Sequence, residues 1–324
     1  MNQDIYVLVE HLRGQVSDIS YIMLAAARSL VLDTGGQVVA ILLGHDSQEL
    51  ARTLAADRIL YMDHQALADF VSDAYQQALA KLIEENAPRA CLFGHTTIGM
   101  DVASFLSARL GLPMVSQCQS IRTENGTLKF TCQICGGKIM AEGVLPAPTA
   151  LVTFVPGGFK PEEGQGAQPP QVTHLPAPEL KDLRVVLRRY IEPEAGDVDI
   201  SKEPILVAVG RGIQRQENLD LAENLAEQLG GAVCGSRPVV DQAWLPATRL
   251  VGKSGKRVNP RVYLALGISG APEHIEAITD SGMIIAINTD PTAPIFNLAK
   301  YGAAVDLFDL VPVLTEKVQQ ARSV

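Results

Sequence analysis

Aromatic side chains are scarce in this chain. They make up 5% of its 324 residues, with a single tryptophan. Apolar residues still reach 47%, so the core must be aliphatic, as in α/β proteins. The length gives two ordinary domains room for a core each. Cysteine is sparse as well. The five present, Cys91, Cys118, Cys132, Cys135 and Cys234, are odd in number and thinly spread, which argues against a disulfide framework. Positive charge is in deficit: 27 Lys and Arg against 36 Asp and Glu leave −9. That argues against a general nucleic-acid or anionic-membrane surface. No apolar run reaches membrane-spanning length, so no membrane insertion is expected. The chain starts Met1-Asn-Gln-Asp and meets strand-like Ile5-Tyr-Val-Leu-Val9 at once, which leaves no room for a leader and predicts a cytoplasmic protein. Catalytic signatures are missing too. There is no Gly-x-Ser-x-Gly, no His-Glu-x-x-His and no paired-carboxylate motif. No catalytic residue and no metal ligand set is therefore assigned.

What the chain does have is clearest between Pro204 and Phe308. Four apolar runs, Ile205–Val209, Val262–Leu266, Met283–Ile287 and Ala303–Val305, each end at small or polar residues, and helical patterns alternate with them. Glu217–Leu229 is the longest of these helices. Such alternation predicts buried parallel strands in a doubly wound sheet. Ligands in such sheets sit outside the carboxyl ends of the strands. Here those ends carry Gly, Ser, Arg, His, Asn and Asp, which suits a nucleotide.

The first half repeats the theme. Strands are predicted at Ile5–Glu10, Gln37–Leu43, Arg58–Tyr61 and Ala90–Phe93, with helices at Tyr21–Val31, Leu50–Ala56, Asp69–Glu85 and Met100–Leu110. Ser120–Thr153 alternates like an antiparallel extension, with turns at Glu124-Asn-Gly126 and Gly136-Gly137. Pro156–Pro193 holds seven of the 19 prolines and reads as an extended connector. Within it, 157–171 is the best candidate for a mobile loop, and Leu183–Tyr190 for one last strand. The expected architecture is α/β in two domains. Residues 1–195 form a mostly parallel three-layer sheet with an antiparallel extension, and residues 196–324 a doubly wound parallel-sheet domain. The boundary falls near Glu194–Ser201.

Each polar cluster has a bland reading. Gly210-Arg-Gly212 is half a dinucleotide fingerprint without its third glycine. Gly267-Ile-Ser-Gly-Ala-Pro-Glu-His274 is a strand-to-helix turn in which Pro272 fits the first helical turn and His274 suits a surface or capping place. Val251-Gly-Lys-Ser-Gly-Lys256 lacks Walker spacing, which rejects triphosphate hydrolysis. Asn288 and Asp306 fit a turn and a cap. Cys132-x-x-Cys135 has no second pair and is read as incidental. His45 and His95 follow strand ends and read as surface residues.

Taken together, the loops resemble the alpha subunit of electron-transferring flavoprotein. Gly210-Arg-Gly, Gly235-Ser-Arg237, Gly252-x-x-Gly-Lys256, Gly267-Ile-Ser-Gly-Ala271 with His274, Ile287-Asn288-x-Asp-Pro291, Ala293-Pro-Ile-Phe296, Tyr301-Gly302 and Asp306-Leu-Phe308 carry the likeness in order. Val7-Leu-Val-Glu-His11 and Val155-Pro-Gly-Gly-Phe159 extend it into the first domain. The resemblance implies FAD in the second domain, with Arg211 and Ser236 on the cofactor and Arg237 over the isoalloxazine, where a fixed cation favours the anionic reduced flavin. It places Val251, Gly252, Lys253 and Ser254 along the ring edge, and Ser269, Gly270, Ala271 and His274 at the pyrophosphate and ring-carbonyl side. Asn288 falls at the ribityl or phosphate region, and Asp306 with Leu307 at the adenosine end. It also implies a beta-subunit partner, with electrons passing between an acyl-CoA-type or other dehydrogenase and a redox acceptor. Lys253-Ser254 departs from the family's usual Gln-Thr, and Pro272-Glu273 from Ile-Gln. Two other classes stay open at this point: a non-redox adenine-nucleotide-binding module, and a structural subunit of a larger oxidoreductase complex.

Overall fold

The computed structural model describes residues 2–124, 126–135, 139–156, 158–168, 170–190 and 198–322. The expected Gly136-Gly137 turn, Asn125 of the other turn and the start of the expected boundary lie outside the described residues. The chain divides into two compact units, Met1–Tyr190 and Ile191–Val324.

The first unit runs β1 (Ile5–Leu8), a small hairpin of β2 (His11–Leu12) and β3 (Gln15–Val16), α1 (Asp18–Thr34), β4 (Val38–Gly44), β5 (Arg58–Asp63), α2 (Ser72–Asn86), β6 (Ala90–Gly94), α3 (Thr97–Leu110), β7 (Met114–Glu124), β8 (Thr127–Ile134), β9 (Ile139–Val144), β10 (Ala150–Phe154) and β11 (Gln171–Leu175). Nine strands form one sheet in the order β11-β5-β4-β1-β6-β10-β7-β8-β9. Pairing is parallel from β11 through β7 and antiparallel across β7, β8 and β9. The apolar runs of the central strands are buried on both sides, because α1 packs on one face and α2 with α3 on the other. This is the expected three-layer unit with an antiparallel extension.

Several local expectations fail, each for a physical reason. The segment expected as a helix at Leu50–Ala56 is a 3₁₀ turn, Gln48–Thr53, because Leu54 bridges Gln165 in extended backbone. Ala150–Phe154 is not part of the antiparallel ladder. It is a wholly buried strand in parallel register with β6 and β7. Within the described part of the expected mobile loop, Gly164 lies so close to Tyr21 that a β-carbon would stand 1.8 Å from the Tyr21 carbonyl oxygen. Leu183–Tyr190 is not a strand either: it joins no ladder of the sheet.

Side chains of α2 hold that segment in the absence of a ladder. Gln77 both donates to the Lys181 carbonyl and accepts from the Lys181 N–H. Buried Asp73 accepts from the Arg184 amide at 2.7 Å and from its guanidinium at 2.8 Å, and Arg184 holds the Asp73 carboxyl below its usual range. Asp73→Ala will therefore release the segment without unfolding the sheet. Tryptic cleavage within 181–190, read by mass mapping, should accelerate at least roughly tenfold, because both bonds from Arg184 are lost. An unchanged cleavage rate contradicts this.

The second unit runs β12 (Ile205–Val209), α4 (Leu219–Leu229), β13 (Ala232–Gly235), α5 (Arg237–Asp241), β14 (Val262–Leu266), α6 (Pro272–Ile275), β15 (Ile284–Ile287), β16 (Tyr301–Ala303) and α7 (Leu307–Arg322). Its five strands are all parallel, in the order β13-β12-β14-β15-β16. Strand β13, Ala-Val-Cys-Gly, is too short and too small-chained to signal itself in the sequence. The last strand lies two residues earlier than expected. Leu219, Ala222, Leu225 and Ala226 put one buried stripe of α4 on the sheet, where α7 adds Leu307 and Val311. Ala277 and Ile278, just after α6, cover the opposite face with Ile295. The order is that of a doubly wound sheet of the 2-1-3-4-5 type, whose topological switch point lies between β12 and β14.

Candidate cofactor site

The two loops at that switch point interlock through their backbones. Gly210 N–H donates to the Leu266 carbonyl at 2.8 Å, and Gly212 N–H to the Gly267 carbonyl at 3.1 Å. A β-carbon on Gly210 would stand 2.3 Å from the Gly267 oxygen, and one on Gly267, whose φ is +63°, would stand 2.6 Å from the Gly212 α-carbon. Only glycine fits this approach. The missing third fingerprint glycine is thus immaterial, because the second loop comes from β14 rather than from the first helix.

These loops, with those after β13 and β15, enclose a cavity of about 720 Å³. That volume lies within the range of small-molecule and cofactor sites. Arg211, Ser236, Arg237, Val251, Gly252, Lys253, Ser254, Ser269, Ala271, His274, Asn288, Asp306 and Leu307 all line it. Gly270 does not. Its φ is +86°, and the space beside its α-carbon is taken by the Ile295 backbone, 2.4 Å from a would-be β-carbon. Sequence reasoning had no signal for Pro238, Leu250, Thr289 or Val305, which also line the cavity. They adjoin expected residues and are themselves turn or apolar types. Gln214, noticed only as a failed glycine position, adopts φ +67° and faces the cavity as well.

Three cations meet in this cavity although the whole chain is acidic. Arg237 starts α5, with its Nε on Asp241 at 2.6 Å and its Nη1 donating to Ser254 Oγ at 3.0 Å. The Ser254 hydroxyl, having accepted that bond, keeps its own proton to donate. Lys253 stands 3.9 Å from Glu276, and its backbone N–H donates to the Glu273 carbonyl. The 251–256 loop is closed by a bridge between Val251 and Lys256 and is tied to the end of β13 by Val251 N–H on the Gly235 carbonyl. Lys256 anchors its far side on Asp199.

Other expected contacts are committed within the protein. The Asn288 amide donates to the Ile268 carbonyl and accepts from the Asp290 N–H, so it joins two cavity loops. Asp306 caps α7 through the Phe308 N–H at 2.9 Å; the bland reading of Asp306 and its place in the cavity both hold. His274 is no surface residue. It is buried, Nδ1 is 3.1 Å from the Val251 carbonyl and Nε2 is 2.8 Å from the Tyr263 hydroxyl. Burial pushes its pKa down to about 4, against a small opposing effect of the Val251 carbonyl.

Features outside this cavity are accounted for locally. Cys132 is buried opposite Cys118 in the β7–β8 ladder, Cys135 is exposed, and all five thiols are free. His45 leans on Asp63 at 2.9 Å, and with Asp46 these form the sole group of metal-ligating types among the described residues. The partly buried ring of His95 contacts Thr153. No helix among the described residues is long and apolar enough to cross a membrane.

Fold and cavity together define a two-unit α/β protein with a nucleotide-cofactor type of site at a topological switch point. The family models agree with this class. Residues 5–180 match the electron transfer flavoprotein domain, and residues 199–279 the electron transfer flavoprotein FAD-binding domain. The chain is 33% identical over 323 residues to the electron transfer flavoprotein subunit alpha of Bacillus subtilis, covering 99% of this chain and 98% of that one. It is 34% identical to the acryloyl-CoA reductase electron transfer subunit beta of Anaerotignum propionicum, covering 99% and 97%. It is 35% identical to protein FixB of Clostridium saccharobutylicum, covering 98% and 96%. This chain belongs to the electron transfer flavoprotein alpha-subunit family, and its function is electron transfer.

Proposed function

We propose that the cavity of the second unit holds FAD and that the chain works as the flavin-carrying half of a heterodimer with a beta-type subunit. In this reading it passes electrons from a dehydrogenase, of acyl-CoA or another type, to a downstream redox acceptor. The convergence of Arg211, Arg237 and Lys253 on a glycine-built crevice carries the proposal. Phosphates and an electron-rich ring both call for such fixed positive charge. Bound FAD supplies the electron chemistry, and the chain's residues bind it, orient it and set its potential. Arg211 and Ser236 suit the phosphates. Arg237 suits the ring face, and the free Ser254 proton suits a ring acceptor. The acryloyl-CoA reductase relative favours a redox partner that acts on acyl-CoA. An adenine-nucleotide module has no use for Arg237, Ser254 and Lys253 in one cavity. The visible spectrum of the co-purified heterodimer tests the proposal: flavin bands, with FAD released on denaturation, are expected, and a colourless protein that takes up no added FAD overturns it.

Lys253 gives a second test. Its ammonium favours the reduced, more anionic cofactor, and Glu276 offsets only part of that charge. Lys253→Gln will lower the reduction potential by about 20 mV for a two-electron couple, the equivalent of about 1 kcal/mol for a partly solvated charge. An unchanged or higher potential in reductive titration against a reference dye contradicts this.

A further inference from the structure

The apolar face of the second unit's sheet contains one buried polar chain, and it ends at the cofactor cavity. Tyr263, the second residue of β14, is wholly buried, and His274 on α6 is 6% exposed. Hydrogen-bond chemistry fixes the direction of the chain. The Val251 carbonyl can only accept, so the Nδ1 beside it carries the proton and donates at 3.1 Å. In a neutral imidazole the other nitrogen then has only a lone pair. The Tyr263 hydroxyl therefore donates to Nε2 at 2.8 Å.

We propose that Tyr263 is a positioning residue for the cofactor site: its hydroxyl locks His274 as the neutral Nδ1–H tautomer, which holds the Val251 carbonyl and so sets the 251–254 loop. Burial, which holds His274 neutral well below pH 7, removes the alternative in which both nitrogens donate. The loop's other tethers, from Gly235 and Glu273, fix the Val251 and Lys253 N–H groups and leave the Val251 carbonyl to His274. His274 lines the cavity, and through the Val251 carbonyl it also acts on the cofactor site by way of Val251, Gly252, Lys253 and Ser254. A buried polar network of this kind fixes one arrangement when every member is satisfied and penalises partial loss. The proposal rests on the FAD reading of the cavity, yet one of its signatures is readable without flavin.

The test uses the co-purified heterodimer, stripped of flavin and titrated with FAD, with Tyr263→Phe, His274→Asn and His274→Gln beside the wild type. Asparagine keeps a donor where Nδ1 stands, and glutamine keeps a polar group where Nε2 stands. Tyr263→Phe should weaken FAD binding about tenfold, the equivalent of one neutral hydrogen bond. His274→Asn should bind FAD more tightly than His274→Gln. Long-range ¹⁵N spectra of the stripped protein should show a single Nδ1–H tautomer for His274, which Tyr263→Phe turns into a mixture. An Nε2–H tautomer in the wild type, glutamine outperforming asparagine, or wild-type affinity and tautomer in Tyr263→Phe overturns the proposal. A wild type that refuses FAD overturns the flavin reading alone, because the tautomer spectra still decide whether Tyr263 locks His274.

Discussion

Glu10→Gln will make the protein more stable at pH 8 by about 3 kcal/mol, with the gain fading below pH 5. Glu10 follows β1 at the switch point of the first unit's sheet and is 4% exposed. Its carboxylate accepts from the Thr96 hydroxyl at 2.8 Å, at the start of α3. Gly94 and Gly99 leave room for it, since β-carbons there would stand 2.5 and 3.0 Å from its Oε1. Burial raises its pKa from the ordinary 4.5 to about 7, against the opposing bonds from Thr96 and Gly94. A carboxyl whose folded pKa lies above its unfolded one binds its proton more tightly when folded. Its contribution is therefore complete below pH 4.5 and is lost as pH rises through about 7. The glutamine amide of the variant keeps the shape without the ionisation. Melting temperatures of the two proteins from pH 4.5 to 9 should diverge across this window, and parallel curves contradict the account. The Glu10 carboxylate stands at the N-terminus of α3, the place where a nucleotide phosphate binds in sheets of this type.

Gly267→Ala will cost on the order of 3 kcal/mol and abolish FAD uptake. A left-handed alanine there carries about 1–2 kcal/mol of strain, and its methyl group would press on the Gly212 backbone at 2.6 Å. Backbone cannot move aside as a flexible side chain does, so overpacking of about 1–3 kcal/mol is added. The strain and the loss of site are separable. Gly230, the left-handed cap of α4, has nothing within 4 Å of a would-be β-carbon. Gly230→Ala will cost about 1 kcal/mol and leave FAD uptake intact. Urea titration and flavin content of the two variants separate the two effects; equal losses contradict the interlocked-loop account.

Much of this was legible beforehand because the information lies close together in the chain. Apolar runs of five residues ending at glycine, such as Ile205–Val209 before Gly210, mark buried strands and the loops after them without knowledge of their neighbours. The loops that resemble the family were legible for the same reason. What depended on partners distant in sequence was not. Val-Cys-Gly of β13 becomes a strand only because β12 offers an edge, and Leu183–Tyr190, with a better strand pattern, joins no ladder and is held by Asp73, with Gln77 on Lys181 just before it. Gly270 looked like its neighbours in the motif, yet it turns its α-carbon to Ile295. His274 looked like a capping residue, because nothing local reveals that Tyr263, eleven residues earlier, and Val251 claim both its nitrogens.

The most direct test of the account is a titration of the flavin-stripped heterodimer with FAD, comparing the wild type with Arg211→Glu. Arg211 follows the first strand of the second unit, lines the cavity and is exposed, so charge reversal there spares the fold. The account predicts one FAD bound in this cavity by the wild type and at least roughly tenfold weaker binding in the variant, the equivalent of one lost charge-assisted contact. The melting temperatures of the stripped proteins should be the same. Equal FAD affinity in the two would contradict it, because the cofactor would then have to bind elsewhere.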